Sequence, residues 1–588
     1  MEDASRSTRV ERPFRPPSGR DSFWPVDRRS IPAQEHRHGF IFISFRRIAN
    51  PRHPYHPIIY VRGFAATQGK IEEAVADPYM GFNMGSTKAR MAWTGEIRRF
   101  FFESPLVRLM HDHGYSDVFE DGEDRVDVDR PDRHIRYRSI VIYRYYDEAS
   151  RNFGSGDTPP IEHFARGLGR LILRLRDKIC ANPENAVAPA DFRVHLVAHS
   201  MGGLVCRAFL QNPALGSGEA RRAVDKLFTY ATPHNGIDLR VVRNVPGWLT
   251  FGNINNFNRE RMAGYLALPA ADDVSIVRGF PPERVFNLIG TDARDYTALK
   301  GMSTWAVGEG SDGLVRIANA ATHGPREDGT DVTSPRAFVH RGHSGHYGIV
   351  NSEEGYQNLV RFLFGTLRVD GILHIDDISL PVEVAAALKD GRAIRASYQF
   401  ETAVGIRGCQ WQITRREARE HSAIFRAYDE LFPGEPGTKR LPDRSRSPHL
   451  FSVFLDPGKS VEASGSVSFA FDLKILVPDY EIDGAPFMKR HYEGGCILRQ
   501  QILIEAFPDA GAPLGWRIKY GYQEKTPGKP NREAPVYMLA DGSGLAFDIE
   551  VAQRTRPGVT SALHVEARPW NDWGSGDERE RVAEPGRD

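Results

Sequence analysis

Two periodicities divide this chain. Up to about residue 370, short runs of consecutive apolar residues alternate with longer stretches whose apolar positions recur every three or four residues. Pro57–Val61 and Ser139–Tyr143 are such runs, and so are Val194–Ala198, Lys226–Tyr230 and Arg284–Ile289, with a further candidate at Ser303–Val307. Runs of this length and composition predict strands buried on both faces. Ile161, Phe164, Leu168, Leu171, Ile172, Leu175 and Ile179 keep helical spacing, which predicts one helix with a single buried face. Leu204, Val205, Ala208 and Phe209 mark another, directly after a strand. Strands and helices in alternation predict a mostly parallel sheet covered on both sides. Beyond about 371 the pattern changes to period two: Val467 to Val477, Trp516 to Tyr522 and Leu545 to Val551 each alternate apolar with polar. Such runs between Gly-, Pro- and Asp-rich turns predict a β-sandwich or barrel. One helical stretch is expected around Arg416 to Leu431. No repeat of fixed period is present.

Composition refines this outline. With 588 residues the chain is too long for one ordinary core, and its length suits about three to four domains or two large ones. The expected division is a polar, Arg- and Pro-rich disordered segment at 1–39, an α/β domain at 40–370, a β-rich domain at 371–572 and a charged flexible tail at 573–588. A formal net charge of +1 gives no electrostatic reason to expect nucleic acid as a partner. Cys180, Cys206, Cys409 and Cys496 are widely spaced, with no C-x-x-C pair, so no zinc or disulfide framework is implied. The first residues lack an apolar core, which argues against a secretory signal. No run of about 18 apolar residues offers a transmembrane segment. Together these make a cytoplasmic protein the expectation.

The chemistry concentrates at Ala198–His199–Ser200–Met201–Gly202–Gly203, between a strand and a helix. A sharp strand-to-helix turn strains its central serine, projects Oγ and demands small neighbours two residues away on each side. Ala198 and Gly202 meet that demand. Here the chain resembles the α/β-hydrolase superfamily, in particular bacterial lipases with an A-H-S-M-G elbow, and the wider lipase and acyltransferase group that includes GPI inositol-deacylase-like proteins. The resemblance covers about residues 55 to 367. It implies an α/β-hydrolase fold with a mostly parallel sheet, followed by a β-rich, sandwich-like domain that it does not reach.

The same resemblance implies roles. Arg62–Gly63–Phe64 stands where lipases carry His-Gly-hydrophobic, so the N–H groups of Phe64 and Met201 would form the oxyanion hole, with Arg in place of His as a departure. Thr232–Pro233–His234–Asn235–Gly236 resembles a lipase landmark, and His234 is expected to be structural. Ser311–Asp312–Gly313–Leu314–Val315 resembles the stretch that holds the triad acid; Asp292, directly after a strand, is the rival. The base follows the acid in this fold, within His340–Arg341–Gly342–His343–Ser344–Gly345–His346. His346 is preferred, because His346 to Ser352 resembles the base-bearing stretch of small bacterial lipases. His343, flanked by glycines, is the alternative base, and His340 is expected at a strand end. No companion carboxylate stands at ligand spacing, so neither a metal nor a cofactor is implied. Aromatic-rich segments at 78–110 and 241–268 correspond to the acyl pocket and lid of lipases, or to core packing.

The expected activity is carboxylic ester hydrolysis through an acyl-enzyme, on an ester or lipid small molecule. Acyl transfer with the same triad, or a non-catalytic binding module on this fold, are the alternatives. The β-rich domain is a possible contact for lipid or a protein partner.

Overall fold

The parallel sheet expected for the first part is built from seven strands, which we number β1 (Ile58–Val61), β2 (Ser116–Asp117), β3 (Ser139–Tyr143), β4 (Val194–His199), β5 (Val224–Tyr230), β6 (Val285–Gly290) and β7 (Arg336–Val339). Their spatial order is β7-β6-β5-β4-β1-β3-β2, with every neighbouring pair parallel. This computed structural model describes residues 53–63, 68–91, 95–120, 123–126, 134–157, 159–237, 254–292, 315–343, 348–457, 465–482, 490–523 and 531–571. All of them fall in one compact unit, Phe45–Asp588.

Three helices matter for the site. Helix α1 (Ile161–Ala181) buries Ile161, Phe164, Leu168, Leu171, Ile172, Leu175 and Ile179, the set its spacing predicts. Helix α2 (Met201–Gln211) follows β4 and is buried along its whole length. Helix α3 (Glu353–Phe364) starts at Ser352, whose Oγ accepts a hydrogen bond from Gly355 N–H at 3.0 Å, the usual way to satisfy a free N-terminal donor. This is an α/β-hydrolase fold.

The β-rich part has two antiparallel sheets. One orders β12 (His449–Leu455), β8 (Leu367–Ser379), β19 (Gly558–Pro569), β18 (Leu545–Gln553) and β17 (Tyr537–Met538). The other orders β10 (Gln412–Arg416), β9 (Ile394–Ile406), β13 (Val467–Ile482), β14 (Arg490–Pro508), β15 (Trp516–Tyr522) and β16 (Arg532–Ala534), with β11 (Ile424–Ala427) also paired to β9. Alternating residues of the two sheets make one core, from Val369 to Val565. The core around the parallel sheet is distinct, yet takes in Phe454 and Trp570 from the β-rich part.

One sequence expectation changes. The stretch from Arg416 to Leu431 is not one helix: only Tyr428–Leu431 is α-helical, and Ile424–Ala427 is strand β11, opposite Ser397–Phe400. Sheet pairing overrides helix propensity here, and His421, at φ 52°, ends the short turn Ala418–Glu420 ahead of β11. The strand expected at 303–307 lies outside the described residues. Among the described residues no helix is long and apolar enough to cross a membrane. The four cysteines are unpaired.

Candidate active site

Ser200 occupies the turn between β4 and α2 at φ 52° and ψ −125°, a region that costs a non-glycine residue about 1–3 kcal/mol. The surroundings hold it there. Ser200 N–H donates to Tyr230 O at 2.9 Å, and Ser200 O accepts from Gly203 N–H at 3.0 Å and from Thr232 Oγ1–H at 2.9 Å. No room is left around the turn. A Cβ on Gly202 would lie 2.3 Å from Val61 O, one on Gly203 2.2 Å from Thr232 Oγ1, and one on Gly63 2.7 Å from Ser200 Cβ. The glycines are therefore required by close approach of backbone and side chain, and Thr232 gives the Thr-Pro-His landmark a physical function. His234 is fully buried against Thr229.

The elbow lies at the carboxyl edge of the sheet, where open α/β sheets bind ligands. The loop after β7 reaches the same edge. Gly342 and Gly348 bridge its two sides, and Ile349 N–H donates to Gly342 O at 3.0 Å. Arg341 pairs with Glu354 of α3 at 2.9 Å. One residue past the bridge, His343 is buried and its Nε2 lies 3.0 Å from Ser200 Oγ. Its carbonyl oxygen is 2.9 Å from His199 Nε2. Burial holds the His199 imidazole down to a pKa of about 3, helped by the neighbouring His343. His199 is thus neutral at working pH, and its Nε2–H donates to that carbonyl, fixing the backbone beneath His343.

The other expected site residues fall as follows. Met201 opens α2, where the helix N-terminus favours developing negative charge. Phe64, Asp312 and His346 lie outside the described residues. Asp292 is 3.4 Å from His340 Nε2, and His340 Nδ1 is 3.2 Å from Glu420, so these three form a cluster where the chain leaves β6 and β7. Arg62 donates to Met80 O.

Glu420 has no counterpart in the sequence reading. It comes from the β-rich part, is nearly buried, accepts from Thr291 Oγ1–H at 2.9 Å and is bonded by Arg415. It thereby ties together the segments leaving β6 and β7. Beside it, β10 covers the edge strand β7: Phe338 N–H donates to Thr414 Oγ1 at 3.1 Å, and the Arg416 guanidinium lies 4.1 Å from the Phe338 ring centre. His199 was likewise missed, although its place in the elbow motif was visible.

With this geometry in place, one stretch of the chain and two solved structures show a likeness to known proteins. Residues 170–277 match the model of the PGAP1-like alpha/beta domain. That span includes Ser200 and α2 and ends before β6. Among solved structures, the chain is similar to the mature form of Bacillus licheniformis lipase BlEst2, at 17% identity over 54% of this chain and 94% of that one, with a TM-score of 0.26. It is also similar to phospholipase PlaB from Legionella pneumophila in complex with thio-NAD, at 14% identity over 74% and 89%, with a TM-score of 0.26. No curated protein matches the chain.

Proposed function

We propose that the chain is a serine hydrolase of carboxylic esters, with Ser200 as nucleophile and His343 as base. The observation that carries this is the 3.0 Å approach of His343 Nε2 to Ser200 Oγ on a strained elbow, the nucleophile–base contact that such chemistry needs. In this reading the Oγ–H proton passes to His343 Nε2 as the Oγ–C bond forms. The carbonyl electron pair moves onto its oxygen, stabilised by the N–H groups of Met201 and Phe64. Collapse breaks the C–O bond to the alcohol, and His343 returns the proton to the leaving alkoxide. Water then repeats the sequence on the acyl-enzyme.

Asp312 is the proposed acid that orients the imidazole; Asp292 already faces His340. We assign the base to His343 rather than to His346, on the contact with Ser200. The β-rich part, residues 371–572, is proposed as a domain that contributes positioning groups and no reacting group, with a lipid or ester molecule as the substrate class.

A fluorophosphonate probe should label the wild-type chain at Ser200 and leave Ser200→Ala unlabelled. Turnover of p-nitrophenyl esters should fall by several orders of magnitude in Ser200→Ala and in His343→Ala, while His346→Ala keeps most of it. Near wild-type turnover in purified Ser200→Ala would end the proposal. Loss at His346 with an active His343→Ala would move the base.

A further inference from the structure

The outer face of the five-stranded sheet gathers three metal-ligating side chains that lie far apart in sequence. His564 of β19 stands directly opposite Asp548 of β18. On its other side it stands opposite Ile372 of β8, so His374 is its diagonal neighbour on the same face. One ligand atom from each of His374, Asp548 and His564 lies within 4.8 Å of the others. The two imidazoles face each other, with centroids 5.0 Å apart and planes at 12°. His564 Nδ1 is 2.9 Å from Asp548 Oδ1, and its Nε2 is 3.4 Å from Glu566 Oε1. Tyr537 donates its hydroxyl proton to Asp548 Oδ2 at 2.5 Å.

We infer that this face binds a divalent cation of the zinc class. Two imidazoles and one carboxylate form a donor set that suits a borderline metal, with water completing a four-coordinate shell. The outer partners are those a metal site needs. Glu566 can accept the remaining ring N–H of His564, and Tyr537 fixes the second oxygen of Asp548; such contacts orient the ligands. A simple ion pair accounts for His564 between Asp548 and Glu566, but not for His374. Among the described residues His374 makes its ring contact with His564 and no hydrogen bond, so a ring nitrogen near the other two donors is available to a cation.

A second group of the same composition shows what excludes a metal. His56, His195 and Asp225 also bring their ligand atoms together, fully buried at the amino ends of β1, β4 and β5. There Lys226 Nζ lies 3.1 Å from Asp225 and Arg284 is bonded to it, so a cation would meet two fixed positive charges in a sealed site. Among the described residues no lysine or arginine is paired in this way with Asp548, and the nearest such pair, Arg568 with Glu566, is one step out from the ligands.

The test is a titration of the full-length, tag-free and metal-stripped chain with Zn²⁺ by calorimetry, with Co²⁺ absorption as a report on ligand type. The wild type should bind one equivalent that His374→Ala, His564→Ala and Asp548→Asn each weaken at least tenfold, and the Co²⁺ band should fade in the same variants. Glu566→Gln should weaken it about 10–100-fold, and His343→Ala should leave that equivalent in place. If a histidine variant fails to fold, the exposed Asp548→Asn gives the same reading. Absence of the equivalent in the wild type, or its full retention in the His374→Ala, His564→Ala double variant, would overturn the inference.

Discussion

At Ser200 the backbone carries strain that a glycine would not feel. With φ at 52° and ψ at −125°, the serine Cβ is held in a region open mainly to glycine. Ser200→Gly should therefore be more stable than Ser200→Ala by about 1 kcal/mol, although both lose the nucleophile. Urea denaturation of the two variants compares them directly; equal midpoints would mean that the elbow stores no strain. The glycines around it are a different matter, because Gly63, Gly202 and Gly203 are set by what a Cβ would strike. His199 supports the site from its own buried position, through one hydrogen bond to the His343 carbonyl.

Between elements, the decisive contacts join segments that follow different strands. Glu420 accepts from Thr291 after β6 and faces His340 after β7, while Arg415 of β10 holds it. Glu420→Ala leaves the Thr291 hydroxyl and the Arg415 guanidinium without this partner, at a cost of about 1–3 kcal/mol for the buried groups. In our functional reading it also frees the two segments that lead to the acid and the base. Turnover of a p-nitrophenyl ester should fall about tenfold or more, with KM changed little, because in this reading the carboxylate acts through Thr291 and His340. A variant with wild-type turnover and a wild-type unfolding midpoint would remove Glu420 from the positioning of the site.

Over the whole molecule, the β-rich part is anchored in the core of the parallel sheet by the residues that follow its last strand. Trp570 is nearly buried, with ring centroids 4.9 Å from Phe454 and 5.6 Å from Phe362, and its Nε1–H donates to Phe362 O at 2.8 Å. Asn571 accepts from the buried Lys226 ammonium. Trp570→Ala should cost about 3–5 kcal/mol, seen as a lower unfolding midpoint in urea; a change under 1 kcal/mol would mean that the anchor is dispensable.

Acid stability is a second property of the whole. Burial lowers the pKa of His53 to about 4 and those of His195 and His199 to about 3, and His56 and His234 lie well below the usual value of 6.5. Between about pH 6.5 and 4 the unfolded chain takes up these protons and the native chain does not. Stability should therefore fall as pH falls through that window, by up to about 1.4 kcal/mol per pH unit for each such histidine. The depressed carboxylates act lower, below about pH 4, and histidines with raised pKa act above 6.5. Urea midpoints at pH 7, 6 and 5 check this, and a flat profile would contradict the burial of these rings.

The sequence by itself determined the elements and the turn that bears Ser200, because both are local. Strand runs, helical spacing and the small residues around the elbow are written within a few residues of where they act. The period-two alternation after residue 371 likewise specified which strand faces are buried. It failed from Arg416 to Leu431, where pairing with β9 outweighed helix propensity. Only the tertiary structure decided which histidine meets Ser200, since His340 and His343 differ by three residues in one loop. Their directions depend on the Gly342–Gly348 bridge and on Glu420, 77 or more residues away in the chain. The gathering of His374, Asp548 and His564 has the same cause. Antiparallel register brings together side chains that no spacing rule connects, because contact across strands depends on pairing and not on distance along the sequence.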